Sequence, residues 1–153
     1  MKSNFSSIVL ILLGFTLMSS MCSSNDMDSG NDQQILAVEN AAKTGSWIIS
    51  SYIDSGQDET NHFSGYTFTF ENNGTMTASN GTNTVQGTWS VTKSNDGSNG
   101  NIDFNIFFSV AASSNFEGLN DDWNITAYNN NTISLIDISG GNGGADTLIF
   151  AKN

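Results

Sequence analysis

Arginine and proline are absent from this chain of 153 residues, and cysteine and histidine occur once each, as Cys22 and His62. Four lysines stand against 15 aspartates and glutamates, a formal net charge of −11. Each scarcity excludes something. So few cations cannot neutralise a row of phosphates, so nucleic acid is not a partner. One cysteine excludes an internal disulfide framework, and one histidine excludes a histidine-based metal cluster. Without proline, no strand is marked as a sheet edge by that device, which favours a closed sheet. What is abundant is small and polar: Asn, Ser, Thr and Gly make up roughly half the chain. Hydrophobic residues still form 37% of it and aromatics 10%, enough to bury the core of one domain.

The first 21 residues read as a leader. Lys2 supplies a positive start, and Ile8 to Met18 is an apolar run too short to span a bilayer, which takes about 20 residues. Ser19-Ser20-Met21 then leads to Cys22. This placement resembles the lipobox of bacterial lipoproteins, with Ser20 as the small residue two positions before the cysteine. The resemblance implies a signal peptide over 1–21, a diacylglyceryl group on the Cys22 thiol, and export to the cell envelope with the membrane as partner. Residues 22–32 are small, polar and acidic and are expected to form a flexible tether. They resemble the acidic export tract of Bacteroidetes lipoproteins, which implies the outer membrane and a surface-facing domain.

Residues 33–44 form the one expected helix. Asp32 is placed to cap it, Ile35, Leu36, Val38 and Ala42 give a weak apolar face, and Gly45 ends it. From Trp47 the period becomes two. Eight short alternating runs follow, starting at Trp47, Tyr66, Thr75, Thr84, Ile102, Trp123, Thr132 and Thr147. Asn72-Asn73-Gly74 and Asn80-Gly81 signal tight turns, with Asn and Gly suited to the positive φ of a type I′ hairpin. Residues 113–122 break the pattern and hold room for one helical turn. The expectation is an all-β fold over 45–153, an eight-stranded antiparallel meander closed into a barrel, with a two-sheet sandwich as the alternative.

Gly45-Ser46-Trp47, placed just after a helix and opening the first strand, resembles the Gly-x-Trp signature of lipocalin-like barrels. A second triplet, Gly87-Thr88-Trp89, and the closing Leu148 to Lys152 extend the resemblance over roughly residues 44–153, as in small Bacteroidetes lipoproteins. Lipocalins place an arginine over the signature tryptophan. Lys152 is the cation available here for the Trp47 ring. The resemblance implies a small apolar ligand inside the barrel, with Tyr66, Phe68, Phe70, Trp89, Phe104 and Phe108 as its lining. The same rings filling the interior, in a structural or interaction module without a ligand, is the competing expectation.

Other chemistry is thin. Asp58, Glu59 and His62 stand together in a polar loop, with no nucleophile spaced toward His62. Asn95 to Asp103 has the look of a calcium loop but too few hard ligands at the required positions. Asp103 and Asp137 sit between apolar neighbours, and Asp103 is expected to face outward. Glu117, Asp121 and Asp122 are carboxylates of the kind glycosidases use, but 15 scattered acids produce such neighbours by accident. Asp146-Thr147-Leu148 resembles the O-glycosylation sequence of Bacteroidetes. No catalytic residue, cofactor or metal is expected, nor an enzyme, and the oligomeric state is not legible.

Overall fold

The change of period at Trp47 marks the border between the molecule's helix and its sheet. In the computed structural model, residues 26–94, 101–138 and 144–153 are described, the side chains of 26–29 excepted. Cys22, the calcium-like tract over 95–100 and most of the glycine run at 139–143 lie outside them.

Helix α1 runs Asp26–Ala42, and nine strands follow: β1 Trp47–Asp54, β2 Gln57–Asp58, β3 Thr67–Phe70, β4 Thr75–Ser79, β5 Thr84–Lys93, β6 Ile102–Phe108, β7 Asp121–Tyr128, β8 Thr132–Asp137 and β9 Asp146–Lys152. All ladders are antiparallel, and neighbours from β3 to β9 pair in chain order. The last strand also pairs with the first, Trp47 opposite Lys152 and Ile53 opposite Thr147, which closes eight strands into a barrel. The ninth, β2, is a two-residue addition hairpinned onto the end of β1. One seam is short: β1 meets β3 through the single pair Trp47 and Phe68.

Closure bends the sheet at two bulges. The register shifts between Ile49 and Ser51 on β1 and between Ile125 and Ala127 on β7. At each, the skipped residue carries a hydroxyl that donates across the seam, Ser50 Oγ to Ile149 O at 3.2 Å and Thr126 Oγ1 to Ser134 O at 3.0 Å.

Turn chemistry departs from expectation in detail. Among the described residues only Ser55 and glycines have positive φ, so Asn72 and Asn73 do not build a type I′ turn. Gly74 takes φ +81 and donates to Glu71 O at 3.1 Å, while Asn73 Oδ1 accepts from Thr75 N at 2.9 Å. Asn80 and Asn129 do the same, each accepting two backbone N–H groups of its own turn. Side-chain amides, not left-handed asparagines, shape these hairpins.

The helix is longer than the sequence pattern suggests. Residues 26–32, expected as tether, are helical, and Asp32 is not a cap: it lies within α1 and pairs with Lys93 at 3.1 Å. Acidic residues in a first turn are favoured by the helix dipole, which offsets their low intrinsic propensity. At the other end Gly45, at φ +76, lets the chain turn into β1. Val38 and Ala42 are fully buried and join the barrel core, so α1 covers the barrel end where β1, β6 and β8 begin. The opposite end is plugged by two short 3-10 turns, Thr60–Phe63 and Glu117–Leu119.

Candidate functional site

The barrel interior is where the sequence placed a ligand. Phe68, Phe70, Trp89, Phe104 and Phe108 point inward and are buried, and Tyr66 is half-buried. Their rings meet one another. Phe70 packs edge-on against Trp89, Phe104 and Phe150 at 5.2, 5.4 and 5.5 Å, and Trp89 stacks on Phe104 at 5.6 Å. Toward the far end, Phe116 touches Phe63, Tyr66 and Phe108 at 5.4, 5.2 and 5.0 Å. The contacts continue from one end of the barrel to the other, so these side chains fill space that a lipocalin-like pocket would leave open. Phe63 and Phe116 were not legible as core. Phe63 ends one short 3-10 segment and Phe116 directly precedes the other, neither with any periodicity, and an isolated phenylalanine in a polar loop is their only trace.

The Gly45-Ser46-Trp47 corner is built as the resemblance implies. Trp47 is fully buried, and its Nε1 donates to Ala42 O, the last carbonyl of α1, at 2.8 Å. Lys152 Nζ lies 3.9 Å from the Trp47 ring centroid and also donates to Thr44 O. Burial holds the Lys152 ammonium below the usual lysine range. The corner therefore ties helix, first strand and last strand together. It is a structural joint.

Titratable groups gather at the opposite end. Eight carboxylates stand there, Asp54, Asp58, Glu59, Glu117, Asp121, Asp122, Asp137 and Asp146, while all three described lysines, Lys43, Lys93 and Lys152, lie at the α1 end. Asp137 is directly opposite Asp146 in the β8–β9 ladder. Like charges so placed repel. Asp121 is raised to about 6, chiefly by burial, with the Asp122 and Asp137 carboxylates adding to it.

A cleft of about 290 Å³ opens on this rim, lined by Tyr52, Asp54, Glu59, His62, Ser113 and Glu117 among others. It brings together Glu59, His62 and Glu117 from the sequence list and leaves Asp121 and Asp122 outside its lining. The Tyr52 hydroxyl donates to Gly118 O at 2.5 Å and to Asp54 Oδ2 at 3.4 Å. Burial, followed by the charges of Asp54 and Asp146, pushes it far above its ordinary range, so it serves as a neutral donor. His62 Nδ1 meets Glu59 Oε2 at 2.7 Å on the surface. Asp58 accepts from Thr60 N at 3.0 Å and is held below its ordinary value by the Thr60 contacts. These groups spend their capacity on local structure. Among the described residues no three His, Cys, Asp or Glu side chains are arranged to hold a metal ion.

Two expected positions read differently in place. Asp103 occupies an outer-face position of β6, as alternation predicts, yet it is only 4% exposed and accepts from Asn124 Nδ2 at 2.8 Å. Thr147 lies inside β9, paired with both Ile53 and Ile136, so Asp146-Thr147-Leu148 is part of a ladder.

No protein-family model and no curated protein sequence matches the chain. Among solved structures, it is similar to the crystal structure of a DUF4847 family protein from Bacteroides vulgatus ATCC 8482, at 18% identity and a TM-score of 0.47, over 76% of this chain and 97% of that one.

Proposed function

We propose that this chain is a lipid-anchored protein of the bacterial cell envelope whose barrel is a solid, non-enzymatic scaffold acting through its outer surface. The observation that carries the second half is the aromatic packing: Phe70, Trp89, Phe104 and Phe150 occupy each other's van der Waals space where a small apolar ligand would sit. The first half rests on Cys22, the only thiol, placed directly after an apolar leader. Among the described residues no helix is long and apolar enough to cross a membrane. In this reading the acyl chains make the attachment, holding by about 0.8 kcal/mol per buried methylene.

Two measurements test this. The mature chain, titrated with a panel of fatty acids and retinoid-like probes, is expected to show neither a retained mass in native mass spectrometry nor quenching of tryptophan emission. A stoichiometric bound probe that quenches emission returns the barrel to a ligand carrier. Replacing Cys22→Ala is expected to move the protein from the membrane to the soluble fraction; persistence on the membrane removes the lipid attachment.

A further inference from the structure

We infer that the α1 end of the barrel rests on the lipid surface, with the outer face of α1 at headgroup level and the acidic rim turned away from it. The inference depends on lipid attachment at Cys22 and adds what that attachment alone leaves open: which face of the domain meets the bilayer.

The first support is reach. Cys22 precedes Asp26, the first helical residue, by four positions. Four extended residues span at most about 14 Å. The long flexible tether expected over 22–32 would have let the barrel present any face. With residues 26–32 wound into a helix held to the barrel by Val38, Ala42 and the Asp32–Lys93 pair, that freedom is gone. The far rim lies the height of the barrel beyond α1, and a seven-residue strand such as β6 rises about 24 Å at 3.4 Å per residue. The lipid is thus fixed close to the α1 end and cannot reach the rim.

The second support is the outward side of α1. Gln33, Leu36, Ala37 and Asn40 are exposed and recur at helical spacing, which puts them on one face. These four side chains are uncharged, with Asp32 at their edge paired to Lys93, and Leu36 is 58% exposed. One leucine binds a bilayer weakly. An acyl group four residues before the helix holds it at high effective concentration, so a weak contact becomes a populated one.

The third support is the charge axis. The three described lysines are at the α1 end together with six acids, Asp26, Asp28, Asp32, Glu39, Glu71 and Asp103, whereas eight carboxylates and no described lysine are at the other, so the rim is the more negative end. Anionic headgroups repel the rim within a Debye length more strongly than they repel the α1 end, where lysines offset half of the acids, which turns the molecule the same way as the short linker does. Reach, apolar exposure and charge agree on one occupant, the bilayer surface, over a second copy of the chain.

Single cysteines introduced into the full lipidated chain report the orientation, because the Cys22 thiol is consumed by its lipid. Gln33→Cys and Leu36→Cys probe the α1 face; Gln57→Cys and Thr82→Cys probe exposed positions at the rim end. None of these side chains is in the core, so the variants keep the fold. Each is labelled with a bulky, membrane-impermeant maleimide, on vesicles of phosphatidylethanolamine and phosphatidylglycerol and again as the soluble Cys22→Ala form. On vesicles, labelling at 33 and 36 is expected to slow roughly tenfold against the soluble form, with 57 and 82 unchanged. Equal labelling at all four sites, or protection at the rim, overturns the orientation. Protection of 33 and 36 in the soluble form as well means a second copy covers the face, and overturns the lipid as occupant. The mass of the vesicle-bound chain separates the two layers of the argument. A diacylglyceryl adduct with freely labelled Leu36→Cys removes the orientation alone, and a chain without the adduct removes the attachment and the orientation together.

Discussion

Gly87 shows how little freedom single positions have in a filled barrel. A Cβ built there falls 2.5 Å from Phe107 O and 2.6 Å from the Phe108 ring, atoms that belong to a backbone and to a packed core side chain. Neither can retreat without opening the β5–β6 ladder, in which Gly87 pairs directly with Phe108. Gly87→Ala is therefore expected to lose about 2–3 kcal/mol of stability by urea unfolding, whereas Gly81→Ser, with open space around it, should cost only the strain of its positive φ. A variant at 87 as stable as the parent would mean that the rings are less tightly seated than their contacts indicate. The second Gly-x-Trp triplet thus has a steric reason of its own: Gly87 makes room for Phe108, and Trp89 donates its Nε1 to Glu71 O at 3.1 Å.

Among the elements, α1 is the one whose contribution divides cleanly between two faces. Val38 is fully buried against the barrel end, and Leu36 two residues earlier is not. Val38→Ala is expected to cost about 1.5–2.5 kcal/mol in chemical unfolding, and Leu36→Ala less than about 0.5 kcal/mol. If the two cost the same, α1 is not docked as described. The strands were legible because their alternation reports a half-buried surface: Ile102, Phe104, Ile106 and Phe108 are all buried, as their period of two predicts. What escaped had no period. The two residues of β2 are too few to alternate, and the 3-10 segments that place Phe63 and Phe116 are too short. The start of α1 was missed for a different reason. Residues 26–32 look like linker by composition, and they are helical here because the downstream turns pack on the barrel and carry the upstream ones with them. Alternation puts Phe68, Phe70, Trp89, Phe104 and Phe108 inside, where they are buried, but sequence cannot say whether inward rings leave a cavity or fill it. That depends on where Phe116 and Phe150 end up.

For the whole molecule, the separation of charge has a measurable consequence. Asp121 keeps its proton up to about pH 6 in the folded state, against roughly 4 in an unfolded chain. A carboxyl raised on folding favours the folded state when protonated, so its ionised form costs stability above pH 6, and that cost fades as the pH falls toward 4. Asp121 is half-buried, and solvent screening reduces the effect. Asp121→Asn is therefore expected to stabilise the protein by about 1 kcal/mol at pH 7.5 and by nearly nothing at pH 4. Unfolding curves at the two pH values decide it, and an asparagine variant weaker than the parent at pH 7.5 would count against repulsion at the rim.

The pairing of β1 with β9 has a bearing on how the protein is made. The strand that β1 needs along most of its length lies about a hundred residues further along the chain, since β1 meets β3 at one pair only. Until Leu148 and Phe150 arrive, Trp47 has only Phe68 opposite it and Ile49 has no ladder partner, and the rings of Phe68 and Phe70 lack the Phe150 ring they pack on. Closing a loop of about a hundred residues is slow, and here it comes last. A chain built this way can pair β3 to β8 locally but cannot complete its barrel until β9 is free to meet β1.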